Sequence, residues 1–338
     1  MSTRAGAGAG RMATIYEVAK LAGVSPATVS RVFNGVAVSD EKLAAVREAA
    51  RQLKFTPNRT ARTLRKQESE VIALVIPDIE NPYFTELARG VEDVAQKAGY
   101  SVVLCNTDSQ LEKEATYLQI AISEHMAGVI LAAASDTTNL DDIQAAGRPV
   151  VAVDRGTGYD IDGVVMANRM AGQAATEHLV RAGYRRIACI TGPRLIETAY
   201  ERAQGWRAVI ARQFPDADPD ELLRYSTFRV DGGREVMEEL LELPEPPDAM
   251  VAGNNLLGVG AIQVLTERGL TPPKLGVAVV GSLPFTTLSP SAVTLVRLPA
   301  RHMGVTAAKM LLERIAGDDQ PARTVVLRGE LQPARPAD

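Results

Sequence analysis

From residue 71 onward the chain alternates short apolar runs with longer segments of helical periodicity. Parallel strands need a crossover between them, usually a helix, so this alternation predicts βαβ units and a parallel sheet covered on both faces. The fold class that we predict for this part is therefore α/β. The predicted strands are 71–77, 101–106, 128–133, 149–154, 164–168, 186–191, 223–226, 249–253, 277–280, 293–297 and 325–331, with helices near 84–97, 110–124 and 301–315.

The strands form two successive series, which predicts a body of two lobes. The first series ends with the run at 149–154, and the second begins at Val164. We expect the strand at 293–297, the helix near 301–315 and the strand at 325–331 to cross between the lobes. The predicted N lobe comprises residues 70–163 and 296–322, and the predicted C lobe comprises 164–295 and 323–338.

Composition excludes several classes of protein. The chain has 338 residues, of which 46% are hydrophobic and 23% charged, as in a globular protein of more than one domain. No apolar run approaches the roughly 20 residues that cross a bilayer, and residues 1–11 lack the apolar core of a secretory signal. We expect a cytoplasmic protein with a disordered leader at 1–11. Cys105 and Cys189 lie in apolar runs without partners at metal-ligand spacing, which predicts buried, reduced thiols and neither a metal nor another cofactor.

Charge is distributed unevenly along the chain. Residues 12–68 contain ten Lys and Arg against five Asp and Glu, although the whole chain carries a formal net charge of −4. A small basic module on an acidic body indicates a polyanionic partner for the module.

The basic module begins with two short helices joined by a tight turn. Thr14 and Glu17 have the spacing of a capping box, and Gly23 is suited to end that helix in the left-handed conformation. Ser25 followed by Pro26 starts a second helix at once. Two helices joined in this way predict a helix-turn-helix, whose second helix enters the major groove of double-stranded DNA.

The second helix has one apolar and one small or polar face. Val29, Val32 and Phe33 form the inner face, and a third helix at 40–53, capped by Ser39, completes the core. The outward residues are Ala27, Thr28, Ser30 and Arg31. Arg31 is suited to bidentate bonds with a guanine; a phosphate contact is the alternative.

A short basic segment, 58–66, follows Pro57. A helix this short is not stable alone in water, so we expect it to order only on DNA. Leu64 is its single large apolar side chain. It is suited to wedge between base steps in the minor groove, or alternatively to pack on the body as a linker residue.

These residues resemble the lactose and galactose repressor family of bacterial transcription regulators. The resemblance continues through the body and covers the chain from Met12 to the last strand. The motifs that carry it are Thr14–Ala19, Ala22–Ser25, Thr28–Asn34, Pro57-Asn58, Ala61-Arg62, Leu64, Asn81-Pro82-Tyr83-Phe84, Val150–Asp154 and Gly205-Trp206.

The resemblance implies a repressor that binds a pseudo-palindromic operator as a homodimer. It implies a headpiece at 12–57, a hinge helix and linker at 58–69, and an effector-binding and dimerisation body at 70–338. No heptad repeat follows Leu331, so we expect a dimer rather than a tetramer. The DNA-contacting positions that it implies are Ile15, Tyr16, Ser25, Pro26, Ala27, Thr28, Arg31, Asn34, Ser39, Asn58, Arg62 and Leu64.

Ligands of parallel sheets collect beyond the carboxyl ends of the strands. Tyr83 and Phe84 follow the first strand and either stack on a ligand or pack in the core, and Asp154 either accepts from ligand hydroxyls or forms an ion pair between the lobes. The resemblance places an effector-binding arginine at Arg202 and a pocket position at Thr198. The predicted effector-binding residues are Tyr83, Phe84, Asp154, Arg155, Thr198, Arg202, Trp206 and Asn255, and the expected effector is a sugar, a sugar acid or a related metabolite.

Three departures from the family pattern bear on the effector. Ala167 and Asn255 stand where aspartates are usual, and Ser282 follows a strand that customarily runs into an aspartate. The segment 281–290 is also about three residues short. Carboxylates that hold sugar hydroxyls are therefore missing, while Arg155, Arg194 and Arg202 remain. We hypothesise an anionic or less hydroxylated effector.

Two alternatives depend on other features. The missing aspartates also fit a DNA-binding regulator whose body no longer senses a small molecule and responds to a protein partner. An α/β enzyme is disfavoured because the sequence has neither a phosphate-binding loop nor a nucleophile elbow, and His125, His178 and His302 are scattered. The glycines at 253–260 lack dinucleotide-binding spacing and are better explained by helix packing. We predict that the protein is not an enzyme.

Overall fold

The computed structural model describes residues 13–33, 36–55, 69–283 and 292–334. The chain divides into two compact units, residues 1–68 and 69–338. The predicted leader at 1–11, the hinge at 58–66 and the predicted contacts of Asn34, Asn58, Arg62 and Leu64 lie outside the described residues. Within the described residues, every helix is too short or too polar to cross a membrane.

The first unit contains three helices, α1 (Ile15–Ala22), α2 (Pro26–Phe33) and α3 (Asp40–Gln52). The predicted capping box is present: Glu17 N donates to Thr14 Oγ1 at 3.3 Å, and Thr14 N donates to Glu17 Oε2 at 2.6 Å. Gly23 ends α1 with φ 64°, which glycine adopts at little cost. All three helices contribute to the core, which consists of Val18, Ala19, Val29, Val46, Ala49 and Ala50.

Of the two predicted N-cap serines, only Ser25 caps its helix with a side-chain hydrogen bond. Thr28 N donates to Ser25 Oγ at 3.2 Å, as expected at the start of α2. Ser39 occupies the N-cap position of α3, but its hydroxyl makes no capping hydrogen bond. The predicted N-cap position of Ser39 is confirmed, and Asp40 and Glu41 in the first turn add negative charge that is favourable beside the helix N-terminus.

The second unit contains two six-stranded sheets, one in each lobe. The first has the order β11-β5-β4-β3-β1-β2 and is parallel throughout. Its strands are β1 (Val71–Ile76), β2 (Ser101–Asn106), β3 (Gly128–Leu131), β4 (Val150–Asp154), β5 (Asp162–Met166) and β11 (Thr324–Leu327). Its helices are α4 (Pro82–Lys97), α5 (Leu111–Ser123), α6 (Asp141–Ala145) and α12 (Ala300–Ile315).

The second sheet has the order β12-β10-β9-β8-β6-β7, and only the pairing of β10 with β12 is antiparallel. Its strands are β6 (Ile187–Thr191), β7 (Leu223–Tyr225), β8 (Ala249–Ala252), β9 (Gly276–Val280), β10 (Thr294–Arg297) and β12 (Glu330–Gln332). Its helices are α7 (Asn168–Arg181), α8 (Glu197–Gln213), α9 (Pro219–Leu222), α10 (Val230–Leu241) and α11 (Asn255–Glu267).

The predicted starts of both C-lobe segments, at residues 164 and 323, are wrong. Strand β5, where we placed the start of the C lobe at Val164, pairs with β4 and β11 in the first sheet. The predicted single strand at 325–331 is two strands, since β11 pairs in the first sheet and β12 in the second. Apolar runs mark strands but not their partners, because pairing is non-local. The chain therefore crosses between lobes after β5, after β10 and after β11.

Paired glycines bring helices close together in both lobes. A Cβ on Gly172 of α7 would lie 2.1 Å from the carbonyl oxygen of Arg202, and one on Gly205 of α8 would lie 2.0 Å from the carbonyl oxygen of Arg169. A Cβ on Gly260 of α11 would lie 1.9 Å from Val230 O of α10, which confirms helix packing as the role of that glycine. The first of these crossings places the N-terminal part of α7 against Arg202 and Gly205 of α8.

Both cysteines are free and buried, Cys105 in β2 and Cys189 in β6. Burial raises the pKa of the Cys189 thiol to about 12. The prediction that these are buried thiols without a disulfide is confirmed.

Candidate functional site

The outer face of the two N-terminal helices is the first candidate surface. Tyr16 is 72% exposed, and Ser25, Pro26, Ala27, Arg31 and Ser39 are exposed as well, whereas Ile15 and Thr28 are half-buried. The predicted DNA-contacting positions among the described residues are thus all at least partly accessible. Their contact with DNA stays a prediction.

The second candidate is a cavity of about 410 Å³ between the lobes. It lies beyond the carboxyl ends of strands from both sheets. Seven of the eight predicted effector residues line it: Tyr83, Phe84, Asp154, Arg155, Thr198, Arg202 and Asn255. Arg194 lies instead on a smaller neighbouring cavity of about 240 Å³, which it shares with Arg155.

The prediction that Trp206 contacts the effector is wrong. Its side chain is fully buried in the core of the C lobe, and Nε1 donates to Ile187 O at 3.2 Å. Arg202 and Trp206 share one face of α8, but this face packs against the second sheet and places Trp206 in the core. The turns that hold Thr198 and Arg202 reach the cavity, and the turn that holds Trp206 does not.

Arg202 is held rigidly at the cavity wall. Its Nε donates to Asn168 Oδ1 at 2.9 Å and its Nη1 donates to Gly253 O at 2.6 Å, while the residue is only 5% exposed. Both acceptors are uncharged, and no described carboxylate forms an ion pair with Arg202. Burial lowers the pKa of Arg202, and the nearby Asp154 opposes that shift.

Asp154 ends β4 with a left-handed backbone, φ 70°, and is 4% exposed. For a residue with a Cβ atom this conformation costs roughly 1 kcal/mol or more, and it recurs at binding sites. Its Oδ2 lies 3.2 Å from Arg155 Nη2. Asp154 is thus paired with its neighbour on the same loop, so the alternative of an ion pair between the lobes is wrong for this residue.

Arg155 is also buried, and its Nε has no hydrogen-bond partner in the described part of the chain. Glu114 lies near it: burial raises the pKa of Glu114, and the charge of Arg155 opposes the shift. The Glu114 carboxylate accepts from Ala134 N and from Thr138 Oγ1, both at 2.6 Å. Arg155 is therefore an N-lobe cation compensated by two buried acids.

The aromatic pair Tyr83 and Phe84 contributes to both the N-lobe core and the cavity wall. Tyr83 and Phe84 pack edge to face with ring centroids 5.1 Å apart, and Phe84 belongs to the N-lobe core. Burial raises the pKa of the Tyr83 hydroxyl well above its usual range, and the charge of Asp154 adds to this effect. Tyr83 is therefore a neutral phenol at the cavity wall.

Two contacts join the lobes beside the cavity. Arg229 Nη1 lies 3.4 Å from Glu80 Oε2, and Gly156 N donates to Glu197 Oε2 at 3.1 Å. These residues and the role of Asn168 could not be predicted from the sequence, because a residue's partner in another element leaves no periodic signal. None of the described residues forms a cluster of three or more metal-ligating side chains.

Comparison with known proteins gives concordant results for both units. Residues 14–58 match the bacterial regulatory proteins of the lacI family, and residues 69–329 match the periplasmic binding proteins and sugar binding domain of the LacI family. The ribose operon repressor of Halalkalibacterium halodurans is 36% identical over 309 residues, which cover 90% of this chain and 91% of that protein.

Solved structures share the fold. A complex of the transcriptional regulator CelR with cellobiose has a TM-score of 0.71 and 30% identity, covering 95% of this chain and 98% of that one. The lac repressor dimer bound to operator and the anti-inducer ONPF has a TM-score of 0.83 at 24% identity, with the same coverage. With a family match over most of its length and a repressor as a relative, this chain belongs to the lacI family of bacterial regulatory proteins.

Proposed function

We propose that this protein represses transcription by binding an operator through α1 and α2, and that a small polar molecule bound between the lobes controls this binding. The observation that carries the proposal is Arg202, a buried cation without an ion pair among the described residues, at a cavity of about 410 Å³ between the lobes that buried Asp154 also lines. Buried charges are costly unless they are paired or used, so their retention in a cavity points to a ligand. Its target, chromosomal DNA, places the protein in the cytoplasm.

The DNA-binding surface is the exposed face of α1 and α2. Arg31 is the candidate for reading a base, and Tyr16, Ser25 and Thr28 are suited to position the headpiece on the phosphates. The segment 58–66 would add minor-groove contacts through Leu64. These assignments rest on the sequence pattern and on the exposure of the described positions.

The active unit is a homodimer in this proposal. Strand β2 lies at an edge of the first sheet, and Val103 on it is 42% exposed. An exposed apolar edge strand is a liability unless another surface covers it. A second copy of the N lobe would cover this edge and bring two headpieces to the two halves of a pseudo-palindrome.

Control of DNA binding follows from a change in the angle between the lobes. The contacts of Arg229 with Glu80 and of Glu197 with Gly156 span the lobes, so a ligand that changes this angle has to break or strengthen them. A coupling free energy of about 1–3 kcal/mol corresponds to a 5–150-fold change in operator affinity.

The experiment that tests the function is selection of bound sequences from a random DNA pool by the full-length protein near physiological salt, where non-specific phosphate attraction is weakened. We expect one inverted repeat with a fixed centre. Recovery of no enriched sequence, both without additives and with a metabolite library present, would contradict the proposal. Sedimentation of the protein and of a Val103→Lys variant tests the dimer, which the variant should weaken.

A further inference from the structure

The charges that line the cavity are divided between the lobes. The N-lobe wall contains the acids Asp78, Glu86, Asp108 and Asp154, and its cation Arg155 is paired with Asp154. The C-lobe wall contains three arginines, Arg202, Arg229 and Arg297, and no carboxylate among the described residues that line it. A ligand in this cavity meets hydrogen-bond acceptors on one side and donors on the other.

The loop that follows β9 does not alter this division. Residues 284–291, which lie outside the described part of the chain, contain no acidic residue. Between Met250 and Pro299 the sequence has a single acid, Glu267, which is paired with Arg234 at 2.8 Å. The loops after β8 and β9 therefore cannot supply a carboxylate to the cavity.

Arg202 is the buried arginine of this wall, whereas Arg229 and Arg297 are exposed. Arg229 is paired with Glu80, and Arg297 Nε donates to Gln332 Oε1 at 2.5 Å. The hydrogen bonds of Arg202 use Nε and Nη1, which leaves Nη2 without one among the described residues. A buried cation held by neutral acceptors, with one donor group free, is suited to an anion.

Asn255 adds a second donor at the same wall. Its Oδ1 accepts from Leu256 N at 3.1 Å, so its amide NH₂ remains available, and the residue is buried at the cavity. The adjacent Asn254 is occupied, since Oδ1 accepts from Leu257 N at 2.8 Å and Nδ2 donates to Phe228 O at 3.3 Å. Asn255 therefore offers a donor where a carboxylate would offer only acceptors.

We propose that the effector is a polyhydroxylated carboxylate of sugar-acid size, with its carboxylate on Arg202 Nη2 and the amide of Asn255, and its hydroxyls donating to Asp154. This inference rests on the proposed function and names the ligand class of its cleft. One free guanidinium nitrogen, Nη2 of Arg202, matches a single negative charge better than a phosphate dianion. The opposite wall is acidic, which favours hydroxyl groups there and disfavours a second anionic group.

Titration calorimetry with matched pairs of acid and neutral sugar tests the ligand class. The probes are D-gluconate with D-glucose, D-ribonate with D-ribose and D-galacturonate with D-galactose, and glucose 6-phosphate tests phosphate as the anion. We expect at least one acid to bind ten-fold or more tightly than its neutral partner and than the phosphate. A neutral sugar or the phosphate as the tightest ligand overturns the proposal, and so does the absence of binding by every acid.

Two substitutions test the residues. Asn255→Asp is nearly isosteric and keeps the acceptor for Leu256 N, but it adds a negative charge beside the ligand carboxylate. It should weaken binding of the acid at least ten-fold without weakening that of the neutral sugar. Arg202→Met should remove acid binding, whereas Arg268→Met, at an exposed position at the end of α11, should not change it. Equal losses for acid and neutral sugar in Asn255→Asp would contradict the assignment.

The DNA selection separates this inference from the proposed function. A protein that selects an inverted repeat and binds a neutral sugar tightly keeps the proposed function and loses the inference. A protein that selects no DNA contradicts the proposed function whatever ligand it binds.

Discussion

Arg202 on α8 donates from Nε to the side-chain oxygen of Asn168, the first residue of α7, at 2.9 Å. The two helices approach closely because Gly172 and Gly205 have no Cβ at the crossing. Helix packing in the C lobe thus sets the position of the guanidinium at the cavity.

Replacing Asn168 with Ala should destabilise the C lobe. The substitution leaves the buried Nε of Arg202 without an acceptor, which costs about 1–3 kcal/mol. Urea denaturation should show a lower transition midpoint, and Asn168→Asp, which keeps an acceptor, should not show this loss. An unchanged midpoint for Asn168→Ala would mean that water replaces the amide and that the bond does not hold Arg202.

Replacing Gly172 with Ala should be strongly destabilising. The added Cβ would lie 2.1 Å from the carbonyl oxygen of Arg202, so α7 and α8 must separate. Overpacking of this kind costs about 1–3 kcal/mol or more. Gly163 is the matched control, because a Cβ there would meet no atom closer than 3.9 Å. Thermal unfolding should show a lower Tm only for Gly172→Ala, and similar Tm values for both variants would refute the close crossing.

Asp162 should make stability depend on pH in the acid range. Burial of its carboxylate acts to raise the pKa, but hydrogen bonds from Arg314 and Arg323 outweigh this and lower the pKa from 3.8 to about 2. Because the folded pKa is depressed, the stabilisation is complete above the unfolded value near 3.8 and is lost as the pH falls toward 2. Its size is about 2 kcal/mol.

Urea titrations of the wild type and Asp162→Asn between pH 2 and pH 7 check this. The difference in unfolding free energy between the two should be constant above about pH 5 and should shrink by about 2 kcal/mol toward pH 2. Asp319→Asn, at an exposed loop position, is the control. A pH-independent difference for Asp162→Asn would contradict the lowered pKa.

Arg31→Ala should relax base preference at one position in each half-site and cost about 1–3 kcal/mol of binding free energy there. Arg47→Ala, on the exposed side of α3, should leave the preferred sequence unchanged. Repeating the DNA selection with both variants measures this. A uniform loss of affinity with unchanged preference in Arg31→Ala would assign Arg31 to a phosphate instead.

Much of the fold could be predicted because its determinants are local. Apolar runs marked the strands of both sheets, and the capping box and Gly23 marked the ends of α1. The sequence could not show that β5 and β11 belong to the first sheet, since strand pairing depends on residues far apart in sequence.

The site was predictable to the extent that it lies at strand ends. Strand ends and family motifs indicated eight positions, of which seven line the cavity, including Asp154 and Arg202. Trp206 was placed wrongly because helical spacing shows which face a residue shares but not how far along that face the cavity extends. The bond from Arg202 to Asn168 depends on the α7–α8 crossing, which required the structure.

The most direct test of effector control is the affinity of the full-length protein for its selected DNA site, measured by fluorescence anisotropy with and without the acid that calorimetry identifies as the tightest ligand. We predict a 5–150-fold change in the dissociation constant, corresponding to a coupling of about 1–3 kcal/mol. An unchanged dissociation constant at a ligand concentration that saturates the cleft would contradict it.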